Sequence, residues 1–355
     1  MQGTMKAALM YGPNDIRVEE VAAPSCPDGG FVVKVRAVGL CGSDIRNLTT
    51  DSRKGDYPHI YGHEVVGEVA EVAPGVTAYR PGQQIYVYPA AHCLRCENCR
   101  MAHHEQCTDL DDYLNRPGGF AEYIAYPASR VARGATFELA EGQDPVLASL
   151  AEPMSSTYAC VDNIDVTLGD TVVVIGAGPI GVFLSILSRM RGAATIIVID
   201  INDERLAKVS AFGVDHTINS TTHDPVEEVM RLTRGLGAHK VISANPSTQA
   251  QAQAIRMARA CGTVVFFGGV PAGALAEIDS NLVHYRGLWI YGHYGANSIQ
   301  VQRAFELAVS PGFPGAQIVT NILPLEQINE AIELTRTGAA LKVVLRPDLN
   351  EEEIA

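Results

Sequence analysis

The chain has one tryptophan in 355 residues, only 6% aromatic side chains and no tract rich in lysine or arginine. Lysine and arginine together number 27 against 40 aspartates and glutamates, a formal net charge of −13. Such a surface repels phosphates, which argues against a nucleic-acid or anionic-membrane partner. No uninterrupted apolar run approaches the length of a membrane span, and MQGTMKAALM at the N-terminus lacks the apolar core of a signal peptide. A cytoplasmic location is therefore expected. Residues 1–4, ahead of the strand that Met5 opens, read as an extension or an upstream start. Internal repeats and low-complexity segments are missing as well.

What remains is ordinary for a globular enzyme: 47% hydrophobic and 19% charged residues, in a chain long enough for two cores. The stretch Thr171 to Asp200, TVVVIGAGPIGVFLSILSRMRGAATIIVID, organises the rest. Strand-forming residues 171–175 lead into Gly176, Ala177, Gly178, Pro179, Ile180 and Gly181, a helical segment follows to about Arg191, and a second apolar run from Thr195 ends on Asp200. This is the order of a dinucleotide-binding βαβ unit. Gly176 permits the turn, Gly178 lets the backbone approach a pyrophosphate, and Gly181 lets helix and strand close up. The pyrophosphate would sit on the helix N-terminus at Pro179 and Ile180. Asp200, 24 positions after Gly176, has the spacing of a carboxylate that binds ribose hydroxyls and repels a ribose phosphate, so NAD is favoured over NADP, although Arg205 is near.

Ahead of this unit, residues 5–90 alternate short β-type runs (6–10, 31–38, 67–72, 84–88) with proline and glycine turns, as in a compact, mostly β domain. Two polar clusters interrupt it. In the first, Cys41, Gly42, Ser43 and Asp44 precede Gly62, His63 and Glu64. Cys and His are zinc ligands, and with a carboxylate or second thiolate they can hold a metal with one position open; a lone buried Cys is equally an ordinary core residue. The second cluster is Cys93, Cys96, Cys99 and Cys107, with His103 and His104 as spare donors. Three cysteines at three-residue spacing and a fourth to close the tetrahedron predict a structural zinc, with an iron–sulfur cluster as the competing reading.

Residues 118–131 return to strand character, and a helix follows that contains Glu152, a carboxylate in the apolar context LASLAEPMSSTYAC. An unpaired carboxylate is costly to bury, so Glu152 is either exposed or bound to a metal. Beyond Asp200, Asn202 caps a helix ending at Gly213, 217–219 is a strand, Asp224 and Pro225 open a helix, and 240–243, 263–267 and 288–291 complete a six-stranded doubly wound sheet. The turn Gly268, Gly269, Val270, Pro271 closes the fifth strand at the edge where ligands of such sheets bind. Residues 299–309 and 324–337 read as helices and 342–346 as a strand, folding back onto the first domain.

CGSD at 41, GHE at 62, the four cysteines, GGFAEY at 118, EP at 152 and GAGPIG at 176, in this order, resemble the zinc-containing medium-chain dehydrogenases. Glu152, where the family's alcohol dehydrogenases carry Cys, makes the sorbitol and polyol dehydrogenases the nearer resemblance. The resemblance implies an α/β protein with a GroES-like, mostly β catalytic domain (1–155, with the structural-zinc loop 93–107), a Rossmann coenzyme domain (156–295) and a C-terminal return (296–355). It implies two Zn²⁺ per chain and NAD. Catalytic zinc would be held by Cys41, His63 and Glu152, with Glu64 as alternate ligand, Asp44 orienting His63 and Ser43 passing the substrate proton to solvent. The metal would lower the alcohol pKa, and hydride would pass to the nicotinamide. Gly268 and Val270 would face the coenzyme, and a homodimer or homotetramer pairing through the sheet edge near 288–291 is expected.

Tyr61 ahead of GHE, and Ser243, Ala244 and Asn245, depart from the family pattern. Tyr61 either packs or shapes the pocket mouth, while His284 reads as structural and Arg46, Arg53 and Lys54 read equally as surface charges or as phosphate contacts. A threonine-type amino-alcohol dehydrogenase and a non-catalytic nucleotide-binding relative are the alternative functions.

Overall fold

The computed structural model of the protein describes residues 3–50, 55–111 and 116–349; Arg53 and Lys54 lie outside the described residues. The chain divides into two compact units, one formed by residues 1–155 with 296–355 and the other by 156–295.

In the first unit a sheet runs in the order Val319–Pro324, Lys342–Arg346, Phe31–Gly39, Glu64–Val72, Gln84–Val87, Thr136–Glu138, with Tyr123–Tyr126 added on Phe31–Gly39. Only the pair Val319–Pro324 and Lys342–Arg346 is parallel. A second sheet holds Asp15–Ala22, Thr4–Gly12 and His59–Ile60. Alternate residues of these β-branched strands, among them Phe31, Val33, Val35 and Val69, are buried with Met10, Leu40, Phe120 and Ile328 in one core. Gly39, the last residue of its strand, pairs with Glu64, the first of the next, and with Val344 on its other side. Two strand ends thus meet, beside the middle of a third strand, where Cys41 leaves the sheet.

The second unit is a parallel sheet ordered His216–Asn219, Thr195–Asp200, Thr171–Ile175, Ala238–Ser243, Ala258–Phe266, Trp289–Gly292. The chain winds outward in one direction from Thr171–Ile175 and then, from Ala238–Ser243, in the other, which makes the gap between these two strands the switch point. The central strands are almost wholly apolar because both faces are covered: Val172, Val173, Val174, Ile197, Val241 and Val264 are all fully buried.

Local differences from the sequence expectations have local causes. The β reading of 118–131 holds only for Tyr123–Tyr126, since Pro127 cannot donate to a ladder and instead opens a helix, Ala128–Arg133. The fifth strand of the parallel sheet starts at Ala258 rather than 263, with Cys261 at φ 59° and a break in register before Thr263. The expected helix 324–337 begins as a short 3₁₀ turn after the strand Val319–Pro324, and its α-helical part is Ile328–Thr337. Strand pairing of Met5 already includes Thr4.

Candidate active site

Cys41 caps the helix Gly42–Thr49. Its backbone N–H donates to Asp44 Oδ2 at 3.1 Å, and Asp44 Oδ1 accepts from His63 Nδ1 at 3.1 Å. One fully buried carboxylate therefore fixes both the cysteine backbone and the imidazole, and leaves His63 Nε2 for another partner. Burial alone would favour the neutral ring, but Asp44, the Cys41 thiol and Glu152 together raise the His63 pKa well above its usual value. The GHE turn is held from outside: Gly118 N–H donates to Ile60 O, Gly119 N–H to Gly62 O and Phe120 N–H to Tyr61 O, at 2.7–2.8 Å. Gly62 has φ 95°, and a Cβ there would meet the Phe120 ring at 2.7 Å, so glycine is required on both counts. Tyr61 is 3% exposed within the core and sits edge-on to His59, so it packs.

Ligand atoms of Cys41, His63 and Glu64 lie within 4.8 Å of one another. Glu152, in the first turn of the helix Ala151–Asn163, brings Oε2 to 4.0 Å from His63 Nε2, and its side chain is 19% exposed. Burial pushes the Glu152 carboxyl up to about 7, against the pull of His63. Glu64 differs from Glu152 in having an internal counter-charge. Lys342 Nζ donates to Glu64 Oε1 at 2.7 Å and to Leu40 O at 3.0 Å, and makes a 2.5 Å ion-pair contact with Oε2, which has no hydrogen bond of its own. Both side chains are essentially inaccessible to solvent. A Cβ at Gly39 would fall 1.8 Å from Oε2, so this glycine makes room for the carboxylate. Sequence reading missed Lys342, since one lysine opening an apolar strand is indistinguishable from a surface residue.

A thiol, an imidazole and buried carboxylates facing one another are a donor set suited to zinc, and only a cation relieves the cost of ionising them together. Ser43, half-buried, follows on the same helix, whereas Arg46 is exposed. Cys93, Cys96, Cys99 and Cys107 form a second group in a stretch with only the short helices Glu97–Arg100 and His104–Gln106. Backbone N–H groups donate to three of the sulfurs: Cys93 N to Cys107 Sγ, Cys96 N to Cys93 Sγ and Cys99 N to Cys96 Sγ, at 3.3–3.5 Å. The N–H groups of Cys99 and Thr108 bring the Cys96 thiol down to about 6, while burial pushes Cys99 up to about 12. Full ionisation of all four thus needs a bound cation, as a tetrathiolate zinc site provides. Neither spare histidine is grouped with the four sulfurs: His104 Nδ1 accepts from Ser298 N–H at 3.0 Å, and His103 is exposed beside Glu105.

In the second unit Gly176 has φ 120°, and a Cβ at Gly181 would lie 1.9 Å from Gly176 O. A Cβ at Gly178 would meet nothing, so the space over the turn is open. Gly178 caps the helix Pro179–Met190 without a side-chain hydrogen bond, leaving N–H groups for an anion. Asp200 Oδ2 accepts from Ala177 N–H at 2.7 Å, and Oδ1 accepts from Ile201 and Asn202 N–H. Asp200, Arg205, Ser220, Asn245, Ser247 and Gln253 border a cavity of about 470 Å³. Gly268 N–H donates to Ser243 O at 2.9 Å, and a Cβ there would meet Asn245 O at 2.3 Å; Val270 follows in the turn. The glycine turn, the free helix terminus and the acid fit a dinucleotide. His284, on the helix Ser280–Arg286, lies edge-on to Tyr285 and joins none of these groups.

Two family models match successive stretches of the chain. The alcohol dehydrogenase GroES-like domain family matches residues 27–135, and the zinc-binding dehydrogenase family matches residues 179–310. An L-threonine 3-dehydrogenase of Symbiobacterium thermophilum is 33% identical over 98% of this chain and 99% of its own. A sorbitol dehydrogenase of Bacillus subtilis is 29% identical over 97% of this chain and 98% of its own. A Sinorhizobium meliloti 1021 structure assigned as a zinc-binding dehydrogenase and bound to NADP superposes with a TM-score of 0.88 at 28% identity, covering 98% of this chain and all of that one.

Proposed function

Because the chain belongs to the zinc-containing medium-chain dehydrogenases, we propose that it oxidises a secondary alcohol of a polyol, sugar alcohol, cyclitol or their phosphate to a ketone, with NAD as acceptor. The observation that carries this reading is the cluster of Cys41, His63 and Glu64, with Glu152 4.0 Å from His63, in a chain that also holds a nucleotide turn answered by Asp200. Cys41, His63 and Glu152 would hold the catalytic zinc, with Glu64 as alternate ligand, and Cys93, Cys96, Cys99 and Cys107 the structural one. Bound zinc supplies Lewis acidity that makes the alcohol hydroxyl acidic near neutral pH. Asp44 keeps the His63 ring oriented, Ser43 passes the hydroxyl proton toward solvent, and Lys342 offsets the charge of Glu64. The carbon-bound hydrogen leaves with its electron pair to the nicotinamide, so one CHOH and NAD⁺ give one C=O, NADH and a proton.

A neutral polyol suits the engagement of three cations of the first unit: Lys342 by Glu64, Arg116 by Asp111 and Arg130 by the Tyr88 and Pro89 carbonyls. Threonine, with its ammonium and carboxylate, is the second reading, favoured by the name of the 33% identical relative. NADH formation across polyols, cyclitols, their phosphates and threonine, before and after chelation, separates the two. Chelator-sensitive turnover of threonine alone would reject the polyol reading.

Asp200 supports NAD, since its carboxylate would meet a ribose phosphate with like charge; Arg205 on the same cavity is the opposing influence. Asp200→Ala is expected to cut the preference for NAD over NADP by about tenfold, roughly 1.4 kcal/mol. An unchanged preference would remove the coenzyme argument. None of the eight cysteines is paired in a disulfide, which suits the reducing cytoplasm. The edge strand Trp289–Gly292 pairs on one side only, and Trp289, Tyr285 and Leu275 are 74%, 82% and 85% exposed. Such an edge favours a homodimer or homotetramer, and a monomer in sedimentation would refute that part. Among the described residues no helix is long and apolar enough to cross a membrane.

A further inference from the structure

Tyr86 lies on the strand Gln84–Val87, paired with Val66 on one side and Phe137 on the other. Strand alternation divides the side chains here. Val65, Ile85 and Val87 join the core described above, whereas Glu64, Val66 and Tyr86 share the opposite face of the sheet. On that face the Tyr86 ring stacks on Phe137 at 5.8 Å and on Phe305, of the helix Ser298–Ala308, at 5.7 Å between centroids. The short helix Pro145–Ala148 packs against Phe31–Gly39, Glu64–Val72 and Ser298–Ala308, and it leads into Ala151–Asn163, whose first turn carries Glu152. Tyr86 is fully buried, and its hydroxyl has no hydrogen-bond partner among the described residues. Stacking alone would be served by phenylalanine, which fills both neighbouring places, so an unmet buried hydroxyl is a net cost unless something accepts its proton.

Two carboxylates act on that hydroxyl. Burial first, then Glu152, Tyr88 and Glu64, raise the Tyr86 pKa well above its usual 10, so the phenol keeps its proton and can donate it. Glu64 is already answered, by Lys342 Nζ at 2.7 Å. Glu152 is not, since its contact with His63 Nε2, at 4.0 Å, is too long for a hydrogen bond. A carboxylate that ligates a metal is held in orientation by a hydrogen bond from outside the ligand set. We propose that Tyr86 is a positioning residue, whose hydroxyl donates to the Glu152 carboxylate when Glu152 ligates the catalytic zinc. Tyr86 thus does for Glu152 what Asp44 does for His63. This role rests on Glu152 as a ligand in the proposed function, and adds the group that holds it.

The test uses full-length protein with ¹³Cζ-labelled tyrosine, zinc-loaded and zinc-depleted, beside Tyr86→Phe and Glu152→Ala. Zinc loading is expected to move the Tyr86 resonance, identified by its loss in Tyr86→Phe, downfield, as for a phenol that begins to donate to a carboxylate. Chelator competition is expected to show that Tyr86→Phe holds the zinc lost in Glu152→Ala roughly tenfold more weakly than wild type, with the four-cysteine zinc unaffected. Without zinc, Tyr86→Phe should melt no lower than wild type, because it removes an unmet polar group. A hydroxyl that serves packing alone predicts a different result, with the zinc held within about twofold of wild type. That result, or a Tyr86 resonance indifferent to zinc, would overturn the proposal. The labelled wild-type arm stands even if Tyr86→Phe folds poorly. Glu152→Ala retaining both zinc ions would instead reject the ligand reading itself.

Discussion

The two metal-type groups of this chain are built on opposite plans. Cys93, Cys96, Cys99 and Cys107 come from fifteen consecutive positions and lean on their own backbone N–H groups. Cys41 and the pair His63 and Glu64 come from separate segments, lie together beside the strand ends Gly39 and Glu64, with Glu152 4.0 Å from His63, and are supported by Asp44 under the imidazole and Lys342 against Glu64. A local group can shape only its own loop. An assembled one is as stiff as the sheet beneath it, which is what positioning a substrate requires.

The largest effect separating the two plans should be on folding. Cys96→Ser is expected to lose one zinc per chain and about 5 kcal/mol of stability, because the loop then lacks its cross-link. Thermal melts with metal analysis would show it, and a melt unchanged despite the lost zinc would mean that the loop is ordered without metal. Lys342→Met comes next, at about 4 kcal/mol, since it leaves the buried Glu64 charge uncompensated. Adding Glu64→Gln should restore part of that loss in denaturant titration, and a double variant no better than the single would contradict the pairing.

A smaller effect lies outside both groups and is read in pH. His293 has a folded pKa of about 4 against 6.5 for the free ring. The unfolded chain therefore binds the proton first, and stability that is complete above pH 6.5 falls as pH drops toward 4, by about 3 kcal/mol. His293→Gln should flatten that portion of the stability curve. An identical slope in the variant would place the acid sensitivity elsewhere.

The contrast also explains what could be read from residues alone. The cysteine quartet, the glycine turn with Asp200 and the caps at Asn202 and Asp224 are local patterns, and each is found where its spacing placed it. Lys342 and His293 carry no such pattern. The first is meaningful only because Gly39 and Glu64 pair beside it, and the second only because its strand ends next to Phe267 and near Ser156. Pro127 shows the same limit on a smaller scale, since the apolar rhythm of 118–131 does not reveal where the ladder must stop.

In the proposed function Glu152 would be a zinc ligand, with Glu64 held in reserve by Lys342. Zinc content and alcohol-dependent NADH formation, measured on one preparation of Glu152→Ala beside wild type, test this most directly. The expected result is a folded variant with one zinc instead of two and turnover lower by roughly a thousandfold, about 4 kcal/mol. Two zinc ions retained with turnover unchanged would contradict it.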